Sequence, residues 1–135
     1  MPGRYVLYTD GAARGNPGPA AIGAVLYEEG QERPVAMMSR PLGVATNNVA
    51  EYQAVIDGLE AASEFDPDDL VVRADSQLLV RQLTGRYRVK APGLVPLHRK
   101  ATSLLAGFRS VRLEHVPRES NTVADSLANA ALDGR

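Results

Sequence analysis

The sequence predicts a single α/β domain built around a mixed β-sheet. The first third of the chain carries three successive segments rich in β-forming residues, and the remainder alternates helical and strand patterns. Strands joined by short turns pair antiparallel, whereas strands separated by a helix pair in parallel. The length of 135 residues suits one domain, and the 44% hydrophobic content suffices for a core. We expect one domain over residues 1–135, with three antiparallel and two parallel strands flanked by about four helices.

The antiparallel strands are predicted within residues 4–42. Residues 4–10 form a strand that ends at an Asp-Gly pair, and a loop rich in glycine and proline, residues 11–20, returns the chain. The second strand follows at residues 21–28. Residues 34–42 form the third strand after a short polar turn.

The parallel strands and the helices are predicted in the rest of the chain. Apolar residues at helical spacing indicate a helix over residues 48–64, with Thr46, Asn47 or Asn48 as its N-cap. The remaining elements are a buried strand at 70–74, a helix at 76–83, a helix at 97–108, a strand at 111–116 and a helix at 122–132. Glycines and prolines predict an irregular segment at residues 84–96.

Composition excludes several classes of protein. The chain has no cysteine, so disulfides and thiolate metal sites are excluded. Its apolar runs are too short to span a membrane, and no signal or transit peptide is recognisable near the first residue. We therefore expect a cytoplasmic protein with no membrane partner. We also expect it to be a monomer.

The net charge of -1 conceals an uneven distribution of charge along the chain. Residues 76–113 contain no Asp or Glu, while the segment between Glu51 and Asp75 is rich in both. The basic residues of the acid-free stretch are Arg81, Arg86, Arg88, Lys90, Arg99, Lys100, Arg109 and Arg112. Two solvated helix faces would explain this pattern; the alternative is a basic groove for a phosphate backbone beside an acidic metal site.

Four carboxylates occur where a predicted strand ends or a predicted helix begins. They are Asp10, Glu51, Asp75 and Asp125. Carboxylates that converge within a few ångströms repel one another, and Mg²⁺ or Mn²⁺ supplies the opposite charge that such oxygens bind. If the four converge, the sequence predicts a divalent-metal site and phosphoryl-transfer chemistry.

Each of these acids also has a structural interpretation. Asp10 could start a turn, Asp75 could cap a helix, and Glu51 and Asp125 each fit the fourth position of a capping box. Helical spacing, however, places Glu51 and Asp125 beside the apolar stripes of their helices. An acid that only caps a helix rarely needs to border the core.

Four segments resemble, in order and spacing, the type 1 ribonuclease H family. The first hairpin of that family is similar to YTDGAARGNPGPAAIGAVL, its first helix to TNNVAEYQAVIDGL, its fourth strand and second helix to ADSQLLVRQL, and its last strand and helix to HVPRESNTVADSLANAA. The resemblance covers essentially the whole chain. It implies a ribonuclease H-like α/β fold that binds RNA/DNA hybrids and cuts the RNA strand.

The resemblance also implies a metal mechanism. Two Mg²⁺ ions, for which Mn²⁺ substitutes, would be held by Asp10, Glu51, Asp75 and Asp125, with Asp10 bridging them. One ion would activate water and the other would stabilise the leaving 3′ oxygen. The products would carry 5′-phosphate and 3′-hydroxyl ends, and no nucleophilic side chain is required.

By the same resemblance, two groups of residues contact nucleic acid. The candidates for reading the 2′-hydroxyl in the minor groove are the Gly11 backbone, Asn16, Asn47, Asn48 and Gln77. An amide both donates and accepts hydrogen bonds, which suits that work, although Asn47 and Asn48 could equally serve the loop or the N-cap. The candidates for the DNA strand are Thr46, Arg86, Arg88 and Lys90 on phosphates and Tyr87 on a sugar.

The chain departs from the familiar bacterial pattern in two places. It lacks the long Lys- and Trp-rich protrusion after the second helix, as in an archaeal-like subgroup, so we expect its affinity for hybrids to be lower. In many relatives a mobile histidine precedes the last carboxylate. Here Arg118 and Glu119 occupy that loop, so we expect Arg118 to aid product release and His115 to be a packed residue at a strand end.

Two other classes of function compete with this one. A catalytically weak module that binds hybrids or double-stranded RNA would keep the basic segment but lose an acid, and all four acids are present. Another nuclease of the same superfold would share the acids without the TNN-x-x-E segment and the Asn16 loop. The preferred metal and the activity on double-stranded RNA stay open.

Overall fold

The computed structural model describes residues 3–134, so the ends of the predicted domain, residues 1–2 and 135, lie outside the described residues. The strands are β1 (Arg4–Ala13), β2 (Gly18–Glu28), β3 (Ala36–Ala45), β4 (Asp69–Ala74) and β5 (Val111–His115). The helices are α1 (Asn47–Ser63), α2 (Gln77–Leu83), α3 (Val95–Ala106) and α4 (Thr122–Leu132), and a 3₁₀ turn spans Arg118–Ser120.

These strands form one sheet in the order β3-β2-β1-β4-β5. β2 pairs antiparallel with β1 and with β3, whereas β4 lies parallel to β1 and to β5. The predicted mixed sheet of three antiparallel and two parallel strands is confirmed. β1 and β4 are parallel neighbours, and Ala74, the last residue of β4, lies beside Thr9 of β1.

The first hairpin is longer than predicted. β1 continues to Ala13 and β2 begins at Gly18, because residues 11–13 pair with residues 20–22 instead of forming a loop. Glycine and proline favour turns locally, but cross-strand hydrogen bonds outweigh that preference here. Only residues 14–17 form the turn.

The third strand and the third helix begin and end at other residues than expected. β3 is one of the two edge strands and continues past Pro41 through an irregularity in its pairing with β2, which lets Gly43 pair with Ala20. Proline is tolerated there because an edge strand has unpaired N–H positions. α3 begins at Val95 rather than residue 97, since Pro96 fits the first turn of a helix, where its missing N–H needs no partner.

Helices cover both faces of the sheet. Gly11 of β1 lies against α1, and Gly23, the cross-strand partner of Asp10, lies against α4. Cross-strand partners share a face and successive residues of a strand point to opposite faces, so α1 and α4 lie on opposite sides. The core is mainly on the α1 side, and its largest fully buried apolar residues include Leu7, Leu26, Tyr52, Ile56, Leu59, Leu70 and Val72. No helix within residues 3–134 has the length and apolar character needed to cross a membrane.

Candidate active site

Three of the four predicted acids converge beside the C-terminal end of β4, in the middle of the sheet. Asp10, Glu51 and Asp75 each offer a carboxylate oxygen, and these oxygens lie within 4.8 Å of one another. The strand register brings Asp10 and Asp75 together. Thr9 of β1 pairs with Ala74 of parallel β4, so Asp10 and Asp75, which follow them, are neighbours. Asp75 does not cap α2, because the N-cap is Ser76, whose side chain accepts from the Leu79 N–H at 3.2 Å.

Glu51 reaches this cluster from the first turns of α1. The Gly11 N–H donates to Glu51 Oε1 at 3.1 Å. Gly11 can lie this close only because it has no side chain: a Cβ there would overlap the Ala50 carbonyl carbon and the Glu51 nitrogen. The capping-box interpretation of Glu51 is wrong, since the N-cap is Thr46, whose side chain accepts from the Val49 N–H at 3.2 Å.

Asp125 adjoins the cluster from α4 but does not belong to the group of three. Its carboxyl lies close enough to Asp10 to raise the pKa of that group through a hydrogen bond and through its charge. α4 approaches the sheet closely at Gly23, where a Cβ would overlap the Ala124 carbonyl oxygen. The capping-box interpretation of Asp125 is wrong as well, because the N-cap of α4 is Asn121 rather than Thr122.

Two carboxyls of the cluster, Asp10 and Glu51, are hard to ionise in the absence of a cation. Burial, followed by the charges of Glu51 and Asp75, raises the pKa of Asp10 to about 9. Burial also raises the pKa of Glu51 to about 7, although the Gly11 N–H and the charge of Arg118 act in the opposite direction. A site made only of carboxylate oxygens, with an excess of negative charge, has the ligand chemistry that Mg²⁺ and Mn²⁺ prefer.

Beside the acids, two asparagines join the β1–β2 turn to the start of α1. The Asn47 N–H donates to Asn16 Oδ1, and the Ala13 N–H donates to Asn47 Oδ1, both at 3.0 Å. Both amide oxygens are thus used within the protein. Within residues 3–134 the two Nδ2 groups have no partner, so each amide offers donors rather than the donor and acceptor expected from the sequence.

The other predicted minor-groove residues lie at helix N-termini. Asn48 in the first turn of α1 and Gln77 at the start of α2 are exposed, and neither side chain has a hydrogen-bond partner among the described residues. Thr46 is the N-cap of α1, so its oxygen is used by the helix while its hydroxyl hydrogen is left as a donor.

The cations of the predicted basic loop are exposed and unpaired. Arg86, Arg88 and Lys90 contact no carboxylate within residues 3–134, whereas Arg40, for example, pairs with Asp57 at 2.8 Å. Within this loop Tyr87 is held in place: the Arg81 guanidinium lies 5.3 Å from its ring centroid and donates to its hydroxyl at 2.9 Å.

Comparison with known proteins gives the family. A family model described as reverse transcriptase-like matches residues 8–131. Ribonuclease HI of Halobacterium salinarum is 50% identical over 131 residues, which are 97% of this chain and 65% of that protein. The chain belongs to the type 1 ribonuclease H family. It spans less than two thirds of that relative's length and 36% of the similar bifunctional protein of Mycobacterium tuberculosis.

Two solved ribonuclease H structures match the fold closely. The N-terminal RNase H domain of the Mycobacterium tuberculosis protein superposes with a TM-score of 0.93 at 44% identity, covering 96% of this chain and 99% of that one. LC11-RNase H1, solved in complex with an RNA/DNA hybrid, gives a TM-score of 0.90 at 41% identity, covering 96% and 97% of the two chains.

The loop before α4 is where this ribonuclease H sequence departs from the expected pattern. Arg118, in the 3₁₀ turn, is exposed, and its charge acts on Glu51, so it lies at the rim of the acidic cluster. His115 ends β5 beside Ala74. The expectation that His115 is packed is wrong: it is exposed, because β5 is an edge strand that ends at the surface.

One buried residue of the site, Asn121, is not among the site residues predicted from the sequence. Asn121 is 1% exposed, and its Nδ2 donates to Asp75 Oδ2 at 3.1 Å and to the Thr9 carbonyl at 2.9 Å. An Asn before a helix indicates an N-cap. Nothing in the sequence pairs Asn121 with an acid 46 residues away.

Proposed function

We propose that this chain is a ribonuclease H that hydrolyses the RNA strand of RNA/DNA hybrids by a mechanism dependent on two divalent metal ions. The observation that carries the proposal is the convergence of carboxylate oxygens of Asp10, Glu51 and Asp75 within 4.8 Å, beside amide donors that have no partner among the described residues. The hybrid bound to the similar LC11-RNase H1 supports the choice of substrate.

The acidic cluster would hold two Mg²⁺ ions, or Mn²⁺ in their place, through Asp10, Glu51, Asp75 and Asp125. When bound, the ions would supply a nucleophilic water and would stabilise the charge that develops on the phosphate. The chain's own contribution is to keep these carboxylates in place. The Gly11 N–H fixes one oxygen of Glu51, and the strand register brings Asp10 beside Asp75. We propose 5′-phosphate and 3′-hydroxyl product ends.

The surface beside the acids would select the hybrid. The free Nδ2 groups of Asn16 and Asn47, together with Asn48 and Gln77, are donors suited to the 2′-hydroxyls and base edges of a shallow minor groove. The Gly11 backbone lies between these donors and the acids. Because the first two amides are fixed by the protein, they lose little conformational entropy when they bind.

The DNA strand would be held mainly through its phosphates. Arg86, Arg88 and Lys90 are exposed cations with no carboxylate partner among the described residues, and the Thr46 hydroxyl adds a neutral donor. Tyr87, fixed by Arg81, offers a ring face for a sugar. Phosphate contacts position a duplex without reading its sequence, so we expect little sequence preference.

Arg118 would assist turnover from the rim of the cluster. Its charge favours ionised Glu51, and its exposure leaves it free to contact the cleaved phosphate as the product departs. We propose further that the protein acts as a monomer in the cytoplasm.

A panel of end-labelled duplexes tests the proposed function. RNA/DNA, RNA/RNA and DNA/DNA duplexes of one sequence are incubated with the protein in Mg²⁺, in Mn²⁺ and in EDTA. We expect internal cuts in the RNA of the hybrid with either metal and none in EDTA. Binding of the hybrid without cutting in any metal would instead indicate a binding module, and cutting of DNA/DNA would indicate another nuclease.

A further inference from the structure

We propose that Asn121 is a positioning residue of the acidic cluster, which fixes the Asp75 carboxylate and joins it to β1 and to α4. The proposal deepens the proposed function and rests on it. It concerns a residue that does not itself reach a reacting atom and acts only through Asp75.

The hydrogen bonds of Asn121 are directed at the cluster. Its Nδ2 donates to one carboxylate oxygen of Asp75 and to the carbonyl of Thr9, the residue before Asp10. One buried amide group therefore contacts Asp75, the residue after β4, and Thr9, the residue of β1 that precedes Asp10. A carboxylate with one oxygen held in this way has less freedom to rotate away from its neighbours.

The orientation of the amide follows from its partners. Both partners are oxygen acceptors, so the NH₂ group must face them, and reversing the amide would place Oδ1 against two oxygens. Oδ1 is buried and has no partner within the described chain. The NH₂ group uses one hydrogen for the Asp75 carboxylate and the other for the Thr9 carbonyl, so both of its donors are directed at the site.

The side chain of Asn121 does not cap α4, although Asn121 occupies the N-cap position. It precedes α4, yet its side chain makes no capping hydrogen bond to that helix. Its backbone carbonyl accepts from the Asp125 N–H at 3.1 Å. The same residue thus links Asp75 to the first turn of the helix that carries Asp125.

The test compares Mg²⁺ binding in the absence of nucleic acid. By calorimetry on the metal-free protein, we expect Asn121→Ala to weaken Mg²⁺ binding by about tenfold or more, as losses of residues that orient metal ligands do. Hybrid affinity in EDTA should be unchanged, and kcat should fall with little change in KM. Mg²⁺ affinity within about twofold of wild type would overturn the proposal.

A matched variant separates positioning from general destabilisation. Gln82 is another buried amide; it accepts from the Tyr52 hydroxyl at 2.7 Å and contacts none of the four acids. Gln82→Ala should lower Tm and leave Mg²⁺ affinity as in wild type. If the two alanine variants weaken Mg²⁺ binding equally, Asn121 has only a structural role and the proposal fails.

A second variant covers the case in which Asn121→Ala does not fold. Asn121→Asp keeps the size of the side chain but cannot donate to Asp75 when ionised, so kcat should fall by about tenfold or more with hybrid binding retained. Full activity would overturn the proposal. If the wild-type protein binds Mg²⁺ but cuts no hybrid, the proposed function fails, and the Mg²⁺ comparison still decides the role of Asn121.

Discussion

The Gly11 backbone N–H donates to the Glu51 carboxylate at 3.1 Å, and this contact joins the centre of the sheet to the first helix. It requires β1 and α1 to approach so closely that no side chain fits between them. A residue that could be taken for a flexible turn glycine therefore has a different role: it lets a backbone donor reach a buried acid.

A methyl group at position 11 should disturb both stability and the acidic cluster. In Gly11→Ala the new Cβ overlaps the backbone of α1, so the helix must shift and carry Glu51 with it. We expect a loss of about 1–3 kcal/mol in the free energy of unfolding, typical of overpacking, together with a drop in kcat. Denaturant unfolding and steady-state kinetics measure both.

Gly93→Ala is the matched control for that substitution. A Cβ at Gly93 meets no atom within 4 Å. This variant should fold and cut like wild type. If Gly11→Ala behaves as the control does, the close approach of β1 and α1 is not needed to place Glu51.

The crowded carboxyls predict a pH-dependent stability for the metal-free protein. Folding raises the pKa of Asp10 from 3.8 to about 9, so between these values the folded state binds a proton that the unfolded state releases. Stability should fall as the pH rises through this window, by at most about 1.4 kcal/mol per pH unit for one group. Asp10→Asn removes this titration. The amount by which the Tm of Asp10→Asn exceeds that of wild type should therefore grow between about pH 5 and pH 9.

Thermal unfolding in EDTA across that pH range provides the measurement. Asp68→Asn serves as a control for the loss of one carboxylate, because Asp68 lies at the surface, 3.3 Å from Arg109. Mg²⁺ should raise the Tm of wild type more than that of Asp10→Asn. Equal or lower metal-free stability of Asp10→Asn at high pH would show that hydrogen bonds of Asp10 outweigh its repulsion.

The basic loop should contribute affinity but little chemistry. Changing Arg86, Arg88 and Lys90 together to Glu should raise KM and should leave kcat at saturating hybrid within about threefold. The slope of log Kd against log salt should become shallower by about 0.7–0.9 for each phosphate that the loop no longer neutralises. A salt series of binding and steady-state measurements tests this.

Arg88→Glu and Arg33→Glu form a matched pair for the same question. Both residues are exposed, and neither contacts a carboxylate within residues 3–134. Arg33 lies in the turn between β2 and β3. Only Arg88→Glu should raise KM. If the two variants behave alike, the effect comes from net charge and the hybrid is held elsewhere.

Much of the fold could be predicted because local patterns and tertiary structure agree. The bounds of α4 match the prediction, since Asn121 precedes a regular apolar stripe and Gly134 follows it at positive φ. The extension of β1 and β2 could not be predicted, because their glycines and prolines favour turns locally. Only the pairing of the two strands overrides that preference.

The candidate site, like the fold, has contacts that could be predicted from the sequence and contacts that could not. The meeting of Asp10 and Asp75 could be predicted, because parallel strands bring their carboxyl ends to one edge of the sheet. The hydrogen bond between Asn121 and Asp75 could not, since it depends on how the chain enters α4. The exposure of His115 depends on where the edge strand ends, which its sequence pattern does not encode.

The most direct test of the account is Asp10→Asn, measured for both turnover and hybrid affinity. We expect kcat in Mg²⁺ to fall far below one tenth of the wild-type value while Kd for the hybrid in EDTA stays unchanged, because the acids carry the chemistry and the amides and cations carry the binding. A variant that keeps more than about a tenth of the wild-type rate, a barrier change of roughly 1.4 kcal/mol or less, would contradict the account.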